Sequence, residues 1–379
     1  MRVNGSSVKK CNRSLILHTI FDEGVVSRSE LSKKLSMSKP TINEHIDFLL
    51  QEEIIRVIGV GAVTRKGGRR PILLEPNHMY KVNIALDLNY TKPIVALGTV
   101  TGVLIDKLSL EAAESFERDN MFHAFTVLIK NSVKELLLRN NINKEDIGVA
   151  IIATPNIINE GVAASTLKNM LEECYSVEVL IKRDVDMALV GESKLFRKEN
   201  MQDFLFVSCG RGLSAAIVIE GRLYEGSQNS AGEIGYFISE PGGETLNEKT
   251  SVRTFLKNLR DRSDQVQDTI LNNFLDITFD IAVHAYHRKD PIVIDEVERI
   301  GDLIGVAINN SIALYDVSTV IIGGDYVVFK DTLIPRIQNI LKQSNIPVKP
   351  DITPITLYYS GGVIGCLEVA KNHIIENLQ

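Results

Sequence analysis

The sequence predicts an α/β protein made of a small N-terminal winged helix-turn-helix and a larger two-lobed body. Two observations carry that reading. Between residues 26 and 76, two closely spaced helix starts precede an apolar hairpin whose tip is crowded with cations. Beyond residue 81, short strands followed by helices occur twice, each time with glycine turns. A chain of 379 residues, 44% hydrophobic and 24% charged, has ordinary globular composition and length for two or three domains.

The head begins with "CNRSLILHTIFDEG", whose apolar residues at 15, 16, 17, 20 and 21 predict a short amphipathic helix stopped at Gly24. In "VVSRSELSKKLSM", Ser27 and Glu30 form a capping box, with Val26 and Leu31 as the hydrophobic staple. Ser38 repeats the device, with Met37 and Ile42 as its staple. Along the second of these helices Ile42, Ile46, Leu49 and Glu53 share one stripe, with His45 and Leu50 at its edges. The opposite face and first turn carry Lys39, Pro40, Thr41, Asn43 and Glu44. In a DNA reader those positions reach base edges, and Pro40 can touch a thymine methyl. A solvated helix face would read the same way. The following segment weighs against that alternative: "IIRVIGVGAVTRKGGRRPILLEP" is a strand, a turn with Arg65, Lys66, Arg69 and Arg70, and a returning strand beginning near Pro71. Four cations around two glycines repel one another unless an anion such as a phosphate backbone lies between them.

Charge separates the two parts. Residues 1–81 carry +6 and the remainder −12, so the expectation is that only the head meets a polyanion. No apolar run reaches the roughly 18–20 residues a bilayer crossing needs, and the N-terminus lacks a secretory apolar region, so a cytoplasmic protein away from membranes is expected. Cys11, Cys174, Cys209 and Cys366 are widely spaced, against both a zinc knuckle and a disulfide framework. His284 and His287 stand at i, i+3 beside "HRKD", a solvated face rather than a metal site.

In the body, "KVNIALDLNYTKPIVALGTVTGVLIDKLSL" predicts three strands, residues 120–139 a helix, and "IGVAIIAT" a further strand. "VSCGRGLSAAIVIEGRLYEGSQNSAGEIGYF" predicts two strands around a glycine turn, then an "AGEIG" loop. "VSTVIIGGDYVVFKDTLIPRIQNIL" reads as strand, glycine turn and helix, and "SGGVIGCLEVAKNHI" as the start of a terminal helix.

"AGEIG" at residues 231–235, the hairpin before it, "RDVDMALVGE" and "IIGG" together resemble the ROK family of sugar kinases and repressors. The winged helix and "GGRRP" resemble its repressor branch, the relatives of xylose and N-acetylglucosamine repressors. The resemblance implies a two-lobed actin/hexokinase-like domain over residues 81–379, behind a DNA-binding domain at residues 1–80. It places a sugar effector at Arg183, Asp184, Glu233 and Tyr236, and less directly at Glu192. Asp184 matches the family's general base, or serves as a helix N-cap. The family's sugar loop is expected between residues 161 and 177, shortened to "VAASTLKNM".

The departures point away from catalysis. ROK kinases open with D-x-G-G-T, where glycines let the backbone close on phosphate; here the stretch is Asp87, Leu88, Asn89, Tyr90 and Thr91. The second phosphate turn keeps Gly210 and Gly212 around Arg211, and the third keeps Gly323 and Gly324. Tyr236 stands where family kinases carry a zinc-binding histidine, and "FISEPGGETLNEKTS" has no cysteine, so no zinc site is expected. The expectation is therefore vestigial phosphate loops, no catalytic residue, no metal and no cofactor. Double-stranded operator DNA and a small sugar are the expected partners, with a homodimer reading a palindrome and further pairing into tetramers left open. The competing reading is an ATP-dependent sugar kinase with an accessory DNA-binding domain; a third is a regulator whose pocket no longer binds ligand.

Overall fold

A computed structural model describes residues 5–61, 70–89, 92–110, 119–155, 161–196, 203–238 and 240–378. The chain divides into two compact units, residues 1–191 with 362–379, and residues 192–361.

The head opens with α1 (Gly5–Glu23), which is longer than its amphipathic stretch predicts. Ile16, Leu17, Ile20 and Phe21 are buried on its apolar stripe. Its polar first half is held from outside, by an ion pair from Lys9 to Glu44 and by Arg13 stacked 3.6 Å from the Phe48 ring centre. After β1 (Val26–Ser27) comes α2 (Arg28–Lys34). Its capping box is as expected: the Ser27 amide donates to Glu30 Oε2 at 2.7 Å, and the Glu30 amide to Ser27 Oγ at 3.3 Å. Helix α3 (Lys39–Gln51) starts at its own cap, Ser38, whose Oγ accepts the Thr41 amide at 3.3 Å. It ends before Glu53, which lies outside the expected stripe in a left-handed conformation, φ 57°. His45, expected at the stripe's edge, is buried. Strands β2 (Ile55–Val60) and β3 (Ile72–Pro76) form the wing, in sheet order β1-β3-β2. Arg65, Lys66, Gly67, Gly68 and Arg69 at its tip lie outside the described residues; Arg70 is exposed at the foot of β3.

The first lobe's sheet contains β4 (Val82–Asp87), β5 (Ile94–Thr99) and β6 (Leu104–Ser109), antiparallel to one another. After α4 (Asp119–Arg139), β7 (Ile147–Thr154) adds parallel to β4. After α5 (Gly161–Tyr175), β8 (Glu178–Arg183) adds parallel to β7 and leads into α6 (Asp184–Phe196). The order is β6-β5-β4-β7-β8. Alternation sends Ile84, Leu86 and Ile152 to the face covered by α4 and α5, and Ala85, Ile151 and Ala153 to the other. The segment expected to hold a short sugar loop is α5 itself: Leu167 and Leu171, one turn apart, are drawn into the core.

The second unit repeats the plan. Strands β9 (Phe204–Cys209), β10 (Leu213–Ile219) and β11 (Arg222–Leu223) are antiparallel. Helices α7 (Leu246–Thr250), α8 (Val252–Ser263), α9 (Phe279–His287) and α10 (Pro291–Tyr315) follow. Strand β12 (Thr319–Gly323) then pairs parallel to β9, and after α11 (Lys330–Gln343), β13 (Asp351–Pro354) pairs parallel to β12. The order β11-β10-β9-β12-β13 matches the first sheet strand for strand.

The chain ends in α12 (Gly361–Asn377), nearly all of it in the first unit. Val363, Cys366, Leu367 and Ala370 pack beneath that unit's sheet. One to two turns on, Ile374, Ile375 and Leu378 join the core of the winged helix beside Ile16, Leu17 and Ile20. One helix thus contributes to both cores. Among the described residues, no helix is long and apolar enough to cross a membrane.

Candidate functional site

On the winged helix, Lys39 and Pro40 are exposed at the start of α3, and Asn43 and Glu44 are exposed on the same helix. Thr41 Oγ1 lies 2.8 Å from Ser38 Oγ, so its hydroxyl belongs to the cap. Two cations absent from the sequence reading hold the polar face of α3. Lys9 Nζ lies 2.8 Å from Glu44 Oε1 and holds that carboxyl below its usual range. Arg28 donates from Nη1 to Asn43 Oδ1 at 3.1 Å and from Nη2 to Asp47 Oδ1 at 2.6 Å. No local pattern exposes these pairings, which join residues 15 to 35 positions apart.

In the first lobe, Asp87 ends β4 and Asp184 begins α6. Asp184 Oδ1 accepts the amide of the adjacent Val185 at 2.7 Å. Arg183 and Asp186 are nearly buried, with Arg183 Nε 3.4 Å from Asp186 Oδ2. Asp87 is also buried, and burial, reinforced by the negative charge of Asp184, raises its carboxyl to about 7. Gly362 of α12 abuts the Asp87 carboxylate with no room for a Cβ.

The loop after β4 is bonded to itself. Leu88, where a kinase has close backbone approach to phosphate, is packed in the sheet core and its amide donates to the Ala153 carbonyl at 2.9 Å. The Asn89 amide donates to Asp87 Oδ1 at 3.3 Å, and the Lys92 amide to Asn89 Oδ1 at 2.8 Å. The amides of residues 88, 89 and 92 therefore already have protein acceptors. Tyr90 and Thr91 lie outside the described residues.

In the second unit, the "AGEIG" loop docks on β10. The Ala215 amide donates to the Gly232 carbonyl at 2.7 Å, and Gly232, at φ 90°, lies so close to the Ala215 carbonyl that a Cβ would collide with it. Ile234 is buried, while Glu233 and Tyr236 are exposed on either side of it. Gly210, Arg211 and Gly212 form the turn between β9 and β10, where the Gly210 amide donates to the Gly212 carbonyl at 3.0 Å. Asp325 lies against Gly210: a Cβ there would stand 2.6 Å from Asp325 Oδ2. A carboxylate at this turn disfavours an anion there. Gly324, at φ 83°, follows Gly323 and passes over the Cys209 backbone, where a Cβ would meet the amide nitrogen at 2.6 Å. Burial pushes the Cys209 thiol far up, and its Sγ donates to the Gly323 carbonyl at 3.2 Å, a structural role.

Glu192, linked less directly to the sugar by the resemblance, is held by backbone amides. It is fully buried, and its Oε1 accepts the Thr356 amide at 3.0 Å and the Leu357 amide. Among the described residues, no cluster of three or more His, Cys, Asp or Glu is placed to hold a metal ion.

A profile described as the ROK family matches residues 141–373, and one described as a winged helix-turn-helix DNA-binding domain matches residues 12–56. The chain is 26% identical over 320 residues to the xylose repressor of Staphylococcus xylosus, covering 79% of this chain and 78% of the repressor. Among solved structures, a ROK family transcriptional regulator described as a homologue of the E. coli MLC protein shares the fold. It superposes at a TM-score of 0.79 and 18% identity over 97% of each chain. A ROK family glucokinase from Streptomyces griseus, solved with glucose and AMPPNP, superposes at a TM-score of 0.62 and 15% identity, over 77% of this chain and 99% of that one.

Proposed function

The chain belongs to the ROK family, and we propose that it is a sugar-responsive transcriptional repressor whose kinase-like body senses a carbohydrate without phosphorylating it. The observation that carries this is the pairing of a capped, outward-facing α3 with a phosphate loop whose own amides are already bonded. Residues 1–80 would grip double-stranded operator DNA, with Lys39, Pro40, Thr41, Asn43 and Glu44 toward the major groove and Arg65, Lys66, Arg69 and Arg70 on the flanking backbone. Residues 81–379 would bind the effector through Arg183, Asp184, Glu233 and Tyr236, and pair two copies so that two winged helices meet a palindrome. A sugar releases the operator only by binding the free and DNA-bound forms with different affinity. Because the Staphylococcus xylosus relative is a xylose repressor, aldopentoses are the first effectors to try.

The test is an electrophoretic mobility shift on the promoter beside the protein's own gene, with and without each aldose. Binding is expected to weaken steeply with salt and to fall for the Arg69→Ala, Arg70→Ala double variant. Unchanged binding by that variant would remove the wing from the interface. Thermal shift supplies the second arm: a bound sugar raises Tm by mass action, whereas ATP with magnesium leaves it where it is. Sugar-dependent ATP turnover abolished by Asp184→Asn would instead establish a kinase.

A further inference from the structure

Arg28 sits at the first position of α2, just after the Ser27 cap, and its guanidinium spans two successive turns of α3. One arm reaches Asn43 Oδ1 at 3.1 Å and the other Asp47 Oδ1 at 2.6 Å. The Arg28 side chain is 30% exposed and Asp47 67% exposed, so the fork lies at the margin of the surface α3 presents. Guanidinium carries only donors, so the carboxamide beside it must offer its oxygen; the opposite flip would set N–H against N–H. Whichever way Asn43 would otherwise turn, Arg28 selects the orientation with Oδ1 toward α2 and the NH2 group away from it.

We propose that Arg28 is a specificity-positioning residue: by fixing the Asn43 carboxamide it makes the outward face of Asn43 a hydrogen-bond donor. The inference rests on the reading of α3 as the groove-facing helix. Its consequence follows from the base edges. A free asparagine reads adenine in bidentate fashion, donating to N7 while accepting from the N6 amino group. That needs oxygen and nitrogen side by side toward the base. An asparagine whose oxygen is directed at Arg28 has its two N–H bonds to offer, which suits an edge carrying acceptors alone, guanine N7 and O6. Asp47 keeps the arginine in place, since the planar fork reaches both oxygens with fixed geometry; a lysine, a compact charge with three rotatable donors, fixes no such geometry.

The experiment is selection of operators by the full-length protein from a duplex pool randomised around its promoter site. Wild type, Asn43→Ala, Arg28→Ala and Arg28→Met are compared, the last keeping the helix-compatible stem. Each variant's salt dependence and thermal melt are measured alongside. At the base pair whose preference Asn43→Ala erases, the wild type is expected to favour guanine. Both Arg28 variants are expected to move that preference toward adenine by at least about fivefold, the scale of one well-formed base contact, with the salt slope unchanged. An Arg28 variant that weakens all sequences equally and lowers the salt slope by about one would make Arg28 a phosphate contact and overturn the proposal. An unchanged base preference in both Arg28 variants would overturn it too. Should Asn43→Ala itself leave every base preference intact, the reading of α3 through Asn43 falls with it, a failure the Arg28 variants alone would not produce.

Discussion

Lys371 on α12 donates to Asp22 on α1 at 3.0 Å, joining the C-terminal helix to the winged helix. The lysine is only 5% exposed and also lies 2.9 Å from Glu368, which is fully buried. Asp22, by contrast, is half-exposed. Burial and the Lys371 charge together lower the imidazole of the neighbouring His18. The weight of this contact is therefore on the α12 side, where two charges are removed from water and depend on each other.

Lys371→Met is accordingly expected to destabilise the protein by about 3 kcal/mol, because it leaves Glu368 buried without its lysine. Asp22→Asn should cost less than about 1 kcal/mol, as a partly solvated partner does. Urea denaturation of the full chain compares the two. An equal loss would mean that the half-exposed carboxylate, not the buried pair, fastens α12 to α1.

Asp87 makes stability depend on pH in the direction opposite to a salt-bridged carboxylate. Its folded value of about 7 lies above the ordinary 3.8 of an aspartate, so the folded chain holds the proton more tightly than the unfolded chain. The stability contributed by that proton is complete below about pH 4 and is lost as pH rises through 7. Asp87→Asn, which cannot ionise, should raise Tm at pH 8, with a ceiling of about 4 kcal/mol, and give little change at pH 4. Thermal melts of both proteins across that range test it. A gain that is the same at every pH would assign the effect to packing against Gly362 rather than to charge.

Gly232 is the one residue of "AGEIG" whose φ and neighbour both exclude a side chain. Gly232→Ala should cost more than about 1 kcal/mol, since it adds left-handed strain to a collision with the Ala215 carbonyl. The same change should abolish the sugar-induced rise in Tm while leaving operator affinity intact, because α3 belongs to the other unit. Loss of both together would indicate a general unfolding defect.

The elements were largely legible because their signals are local. Ser27 with Glu30 and Ser38 with Thr41 mark helix starts through bonds three residues long. The run "IGVAIIAT", with no charged residue and Thr154 as its one hydroxyl, coincides with β7, as a strand buried on both faces reads as a near-continuous apolar stretch. Local signals also misled. The polar half of α1 lacks amphipathic periodicity and is helical because Arg13 and Lys9 find Phe48 and Glu44 on α3. Residues 161–175 form α5 instead of the expected sugar loop because the sheet above them buries their leucines.

By itself, the sequence determined that a winged helix precedes a duplicated α/β body, and that the glycines of the first phosphate loop are replaced; spacing, capping and residue identity depend on neighbours along the chain. Only the tertiary structure decided that Leu88 fills a core, that Glu192 grips backbone amides, that Arg28 holds Asn43, and that α12 serves two cores. Each of these joins groups brought together by folding; burial selects the positions of Leu88, Glu192 and α12, and charge and donor–acceptor matching at the surface selects the Arg28 fork, and no run of adjacent residues displays either.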